Sequence, residues 1–466
     1  MSAAGVSVGS AAGTAPTPQP VGPAAGASSQ LRAGPRPARA AGRWTAPTAA
    51  GAIQAQVVVP GSKSATARSL VLAALADGPS RISGGLAARD SDLMIAALRQ
   101  LGAVIDTTGP TWTVVPPDRP IAGGAVEGGL AGTVLRFVPP LAALAEGETA
   151  FRGDPAAAAR PVAPLLDALA QLGATVEGSA LPFAVSGPLI ARRAVIDASA
   201  SSQFVSGLLL AAARFPQGLE LRHRGGPIPS LPHIELTAAA LADHGVALEW
   251  MRPGPDSDPG RSEHCWRVAP GAVRAVDETI EPDLTTAAVF LAAALVAGGS
   301  VTVPAWPART SQPGAVGPQL LTGFGGDWRL DRSGLTVTGD GRLQGQELDL
   351  SATSELVPVL AGLAALAEGE TRLRGVAHIR GHETDRLAAL AHNLTALGGR
   401  CAETADGLLI APARLHGGSW PTWGDHRLAH AGALIGLRVT GVELDDIAVV
   451  AKTMPDFARV WRETLT

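Results

Sequence analysis

Apolar stretches of about four helical turns, hydrophobic on nearly every side, alternate along the chain with stretches in which apolar residues recur every three or four positions. Both give way, after a glycine, to short alternating runs. The first two patterns predict helices and the third predicts strands. The pattern also repeats. One phrase, a small or polar opening followed by an apolar helix, a Gly and a short β-like run, begins at Ser62, Gly132, Ser201, Thr285, Ser354 and Asp425. Successive starts lie 70, 69, 84, 69 and 71 residues apart.

Five of the six units carry a second half, an amphipathic helix, a turn of the LGA kind and two strands, as in MIAALRQLGAVIDTTGPTWTVV and LLDALAQLGATVEGSALPFAVSG. A helix apolar all round must be buried on every side, whereas one with a polar face meets solvent. Helices inside and sheets outside follow. The expected fold class is therefore α/β, with two inside-out α/β domains, each of three βαβαββ repeats with buried helices and outer sheets. Repeats one to three are expected over 62–281, and repeats four to six over 46–61 plus 282–466. The widest spacing, with its DPG-containing insert near Asp258, precedes the second group.

Residues 1–45 are rich in Ala, Gly, Pro and Ser, carry Arg32, Arg36, Arg39 and Arg43, and hold no acidic residue, the first being Asp77. This composition predicts a disordered tail, with an organelle transit peptide as the alternative.

Composition narrows the function. With 46% hydrophobic and 17% charged residues the chain can bury large cores, and a net charge of −4 without a Lys/Arg run disfavours a general nucleic-acid or membrane-surface binder. Any anion must be held locally. Cys265 and Cys401 show no metal-ligand or disulfide spacing, which fits a reducing cytoplasm without structural zinc. Of 37 basic residues only Lys63 and Lys452 are lysine. Where arginine otherwise supplies charge, two retained lysines mark places that need a compact ammonium able to give up a proton.

The openings of the buried helices hold most of the chemically capable residues: Lys63 and Ser64, Gly132 and Thr133, Ser201 to Gln203, Asp283, Glu355, and Asp425 to Arg427. A helix start presents unsatisfied N–H groups and partial positive charge, so several converging starts would suit a polyanion. Ser, Thr and Asp there are also ordinary N-caps, which is the plainer account of any one of them.

PGSKSATARSLVLAAL (60–75), AGTVLR (131–136), SSQF (201–204), HETDRL (382–387), GDHR (424–427) and AKTMPD (451–456) match, in order, the signatures of the 5-enolpyruvylshikimate-3-phosphate synthases. Over about 46–466 the chain resembles a bacterial member of that family. The resemblance implies transfer of the enolpyruvyl group of phosphoenolpyruvate to the 5-hydroxyl of shikimate 3-phosphate, on the route to chorismate, with glyphosate as inhibitor. It implies a shikimate 3-phosphate site of Lys63, Ser64, Arg68, Ser201, Ser202, Gln203, Ser230, Glu355 and His382. The implied phosphoenolpyruvate site is Lys63, Gly132, Arg160, Gln203, Arg386, Arg427 and Lys452. Glu355 corresponds to the family's proton acceptor, while Glu383, Lys63 and Lys452 are candidates for protonating the enol carbon. No cofactor or metal is expected, the partners are the two small-molecule substrates and neither nucleic acid nor membrane, and a cytoplasmic monomer is expected.

Three departures stand out. His382 and His233 replace residues that are Lys and Tyr in many relatives, so shikimate contacts there are expected to be weaker or pH-dependent. Phe137 replaces a common Pro, which puts the shape around Gly132 in question. Two rival readings are a UDP-N-acetylglucosamine enolpyruvyl transferase and a non-catalytic anion-binding homologue. Against the first, GDPAAAARP (153–161) lacks the loop cysteine usual there; against the second, Lys63, Arg160, Glu355 and Lys452 are all present.

Overall fold

The computed structural model describes residues 42–118, 121–254 and 263–466. Six helices open near the expected starts: Lys63–Leu75, Gly132–Phe137 continued by Pro139–Ala142, Gln203–Ala211, Leu284–Ala297, Val357–Ala365 and His426–Gly436. They are buried along almost their whole length, as their all-round apolar character demands.

Each complete repeat builds a four-stranded sheet on one plan. In the second, Ile121–Glu127 runs parallel to Ala145–Arg152 across the buried helix, and the hairpin Thr175–Glu177/Phe183–Ser186 adds antiparallel. The first and fourth repeats exchange one strand. Glu278–Thr279 pairs parallel with Ser80–Ser83 of the first, while Ile53–Gln56 pairs parallel with Gly299–Val303 of the fourth. The chain therefore crosses between the two groups twice. The crossings bind each other, with Ser62 N–H donating to Glu281 O (2.8 Å) and Asp283 N–H to Pro60 O (2.9 Å). A Cβ on Gly61, between them, would collide with the carbonyl of Gly84.

The sixth repeat lacks a second half, and its sheet has three strands, Trp44–Thr45, Val442–Leu444 and Gly418–Trp420. Trp44 and Thr45 pair antiparallel with Leu444 and Glu443, and Ala46 N–H reaches Val442 O at 2.9 Å. The expected tail 1–45 is thus too long at its end, because Trp44 and Thr45 form the edge strand of this sheet. Residues 1–41 lie outside the described residues.

The buried side chains form two separate hydrophobic cores. One draws on residues from Ala67 to Ile280, the other on Ala46 to Val59 and Ala287 to Trp461. Burying helices between sheets in this way leaves the helix ends, rather than their sides, free to meet across the gap. No helix among the described residues is long and apolar enough to cross a membrane.

Candidate active site

The starts of all six buried helices open on one cleft between the two cores. Lys63, Ser64, Gly132, Thr133, Ser201 to Gln203, Asp283, Glu355, His426 and Arg427 line it, with Arg160, Ser230, His382, Glu383, Arg386 and Lys452 from neighbouring segments.

Several starts are ordinary caps. Ser62 Oγ accepts from Ala65 N–H, Asp283 from Thr286 N–H, and Asp425 from Arg427 N–H. Ser201 Oγ accepts from Gln203 N–H at 3.2 Å. The second and fifth starts have no side-chain cap, so N–H groups at Gly132 and around Glu355 are left for another acceptor.

Six cations, Lys63, Arg136, Arg160, Arg386, Arg427 and Lys452, face four carboxylates, Asp90, Asp283, Glu355 and Glu383. The two lysines converge on a single carboxylate: Oδ2 of Asp90 lies 3.6 Å from Lys63 Nζ and 3.8 Å from Lys452 Nζ. Lys452 also donates to Glu383 at 2.8 Å. Burial, reinforced by Lys452, lowers the pKa of Lys63, so its ammonium gives up a proton more easily than a free lysine. Glu383 is the opposite case. Burial disfavours its charge, but Lys452, Arg386 and Arg160 outweigh that and hold it well below the ordinary range.

Cationic donors remain unsatisfied. Arg427 Nη1, Arg160 Nε and Arg136 Nε are buried without a partner, and burial pushes Arg136 down to about 9. An unpaired buried donor costs about 1–3 kcal/mol, more when charged, and an entering anion relieves that cost. The cleft is built for something with several negative oxygens.

Glu355 Oε1 accepts from His233 Nε2 at 2.9 Å, and Oε2 is buried without a partner. Burial opposes its ionisation, but His233 and Arg427 prevail and keep it a carboxylate.

Two expectations need correction. Arg68 does not line the cleft. It is 2% exposed, and its guanidinium donates to Thr237 Oγ1, Ser64 O and His233 O at 2.8–2.9 Å. It braces the wall from behind. His382 does line the cleft, but burial and the neighbouring Arg386, bonded to its Nδ1 at 2.9 Å, lower its pKa to about 3. It is neutral at ordinary pH, so the expected pH-dependence through His382 does not arise. Arg386 is itself committed, to Asp425 at 2.7 Å and Glu383 at 3.0 Å.

Phe137 leaves the Gly132 helix start regular. Its ring is fully buried, with the guanidinium of Arg68 5.3 Å from the ring centre.

Residues not singled out from the sequence complete the walls: Asp90, Arg136, His378 and Gln312. Asp90 lies in the first turn of an amphipathic helix, where an acid is ordinary. That Arg136 sits in an otherwise apolar helix was the available signal.

A family model described as EPSP synthase (3-phosphoshikimate 1-carboxyvinyltransferase) matches residues 47–461. A curated 3-phosphoshikimate 1-carboxyvinyltransferase of Kocuria rhizophila is 50% identical over 436 residues, covering 90% of this chain and 96% of its own. Among solved structures, EPSP synthase from Acinetobacter baumannii superposes with a TM-score of 0.73 at 23% identity, covering 91% of this chain and 98% of that one. The enolpyruvyl transferase NikO from Streptomyces tendae gives 0.67 at 20% identity, covering 90% and 96%. The structural likenesses bear on the fold.

Proposed function

The chain belongs to the EPSP synthase family, and from that premise we propose how its residues divide the work. The reaction is transfer of the enolpyruvyl group of phosphoenolpyruvate to the 5-hydroxyl of shikimate 3-phosphate, giving 5-enolpyruvylshikimate 3-phosphate and phosphate, a step of aromatic amino acid biosynthesis.

The hydroxyl oxygen attacks C2 of the enol while C3 gains a proton, giving a tetrahedral intermediate. Loss of a proton from the C3 methyl group and of phosphate from C2 restores the double bond. An acid and a base must therefore face opposite ends of one bond. Glu355, ionised and with Oε2 unpartnered, is the acceptor at the hydroxyl. Lys63, with its lowered pKa, and the Lys452–Glu383 pair at 2.8 Å stand at the enol end.

Ser64, Ser201, Ser202, Gln203 and Ser230, with neutral His382, hold shikimate 3-phosphate, and Lys63 lies against both substrates. Arg160, Arg386, Arg427, Lys452 and the uncapped N–H groups at Gly132 hold phosphoenolpyruvate, with Gln203 between the two. The observation that carries this reading is the convergence of the chain's only two lysines on Asp90 within a cleft of unsatisfied cationic donors.

The two hydrophobic cores are read as two domains, 62–281 and 46–61 plus 282–466, with the cleft at their junction. The free thiols of Cys265 and Cys401 support a cytoplasmic setting.

Glu355→Gln keeps the shape and removes the base. It should bind both substrates while kcat falls by about a hundredfold or more. Unchanged kcat would move the base elsewhere, with Glu383 next in line.

A further inference from the structure

His233 and Glu355 sit on opposite sides of the cleft. His233 opens the helix Pro232–Asp243 beside the first core, and Glu355 lies in the turn Ser354–Leu356 that leads into a helix of the second. Their contact does not stand alone. Ser230 N–H donates to Ser351 O at 3.2 Å, and the hydroxyls of Ser230 and Ser354 are 3.3 Å apart. Ser230 is held at φ +50, in the left-handed region that a non-glycine residue occupies only under constraint.

The backbone that carries the imidazole is held from behind. The carbonyl oxygen of His233 accepts from Arg68 Nη2 at 2.9 Å and from Thr237 Oγ1 at 3.0 Å, and Arg68 Nη1 donates to Ser64 O at 2.8 Å. Arg68 thus ties the backbone of the first buried helix, beside Lys63, to the backbone that carries the imidazole. The ring nitrogen facing the ionised carboxylate carries the proton, because a carboxylate only accepts.

A glutamate carboxyl turns freely about its last bond, with a broad torsional profile. A base that must meet one hydroxyl at hydrogen-bond distance gains from losing that freedom before substrate arrives. Here one oxygen is bonded and the other is buried with no partner.

We infer that His233 is a positioning residue for the proton acceptor: its Nε2–H, presented by one core, pins Oε1 of Glu355 on the other, so that Oε2 is offered to the substrate hydroxyl only while the cores are together. This rests on Glu355 being the base.

The test is steady-state kinetics on four single variants and one double. His233→Phe should lower kcat on the order of a hundredfold, the scale of a one-ångström misplacement, with KM for shikimate 3-phosphate within about threefold of the parent. His233→Gln, whose amide N–H can reach Oε1, should recover kcat to within about fivefold. His233→Asn, one methylene shorter, should not, and this pair decides the matter even if the Phe variant folds poorly. On a Glu355→Gln background, His233→Phe should cost less than about twofold, since the group it positions is already gone. The inference is overturned if His233→Phe raises KM at constant kcat, if Gln and Asn behave alike, or if the loss is undiminished in the double variant. Normal kcat for Glu355→Gln would instead remove the base assignment itself, and this inference with it.

Discussion

Gly132→Ala adds one methyl group at an uncapped helix start. A Cβ there would lie 2.8 Å from Arg136 Nη1 and 2.9 and 3.0 Å from the two Nη atoms of Arg160, where ordinary contact begins near 3.4 Å. Both guanidinium groups are too close and have to give way. Arg136 is 3% exposed and donates to Gly132 O at 3.1 Å and to Pro161 O at 2.9 Å, so it is held from both sides. Arg160 donates to Leu130 O at 3.0 Å, and its Nε has no partner. Arg160, held by fewer bonds, therefore gives more, by about half an ångström. A charge-assisted hydrogen bond is worth about 1.5–3 kcal/mol, so losing one to phosphoenolpyruvate lowers kcat/KM for that substrate roughly ten- to a hundredfold. KM for shikimate 3-phosphate should hold within about twofold, and the thermal midpoint should not fall, since alanine is the better helix former. Initial rates with each substrate varied in turn decide it. On an Arg160→Ala background the added methyl should cost less than about threefold. Equal losses for both substrates, or an undiminished loss without Arg160, would refute the steric route through that side chain.

Glyphosate, longer than phosphoenolpyruvate by about one bond, should lose more affinity in Gly132→Ala than the substrate does; parallel titrations giving equal losses would mean that only the helix start is disturbed. Lys63→Arg and Lys452→Arg should each lower kcat by about a hundredfold or more, since charge is kept while proton exchange and compactness are lost; near-normal rates in both would refute the argument from lysine scarcity. Asp90→Asn removes a charge that raises the pKa of Lys63, which burial already lowers. Lys63 then loses its proton at still lower pH, so the basic limb of the kcat profile should move to lower pH, and a limb unmoved or moved upward would contradict the shared counter-ion. Removing residues 1–46 deletes the edge strand Trp44–Thr45 and buried Ala46 and should lower the thermal midpoint by a few degrees, whereas removal of 1–41 should leave it and turnover nearly unchanged.

The repeat was legible because burial leaves a direct imprint: a helix such as Leu284–Ala297 is apolar on every face, and an outer helix such as Arg89–Gln100 is not. Helix starts were legible for the same reason, through Ser62, Asp283 and Asp425 as caps. Pairing across long separations was not. Glu278–Thr279 and Trp44–Thr45 are two-residue strands, too short for alternation to register, and their partners are distant in the chain. Site residues that sit behind others were equally hidden. Arg68 belongs to the first motif, but nothing in the motif tells that its bonds run to Ser64, Thr237 and His233. Asp90 acquires its role only when Lys63 and Lys452, 389 residues apart in the chain, are brought to the same oxygen.

The most direct test of the whole account is phosphate release from phosphoenolpyruvate by the full chain, followed with and without shikimate 3-phosphate, with UDP-N-acetylglucosamine as the alternative acceptor and with a metal chelator present. The account predicts release that requires shikimate 3-phosphate, is not supported by UDP-N-acetylglucosamine, and is unaffected by the chelator. Release driven by UDP-N-acetylglucosamine, or none with shikimate 3-phosphate although both ligands bind, would contradict it.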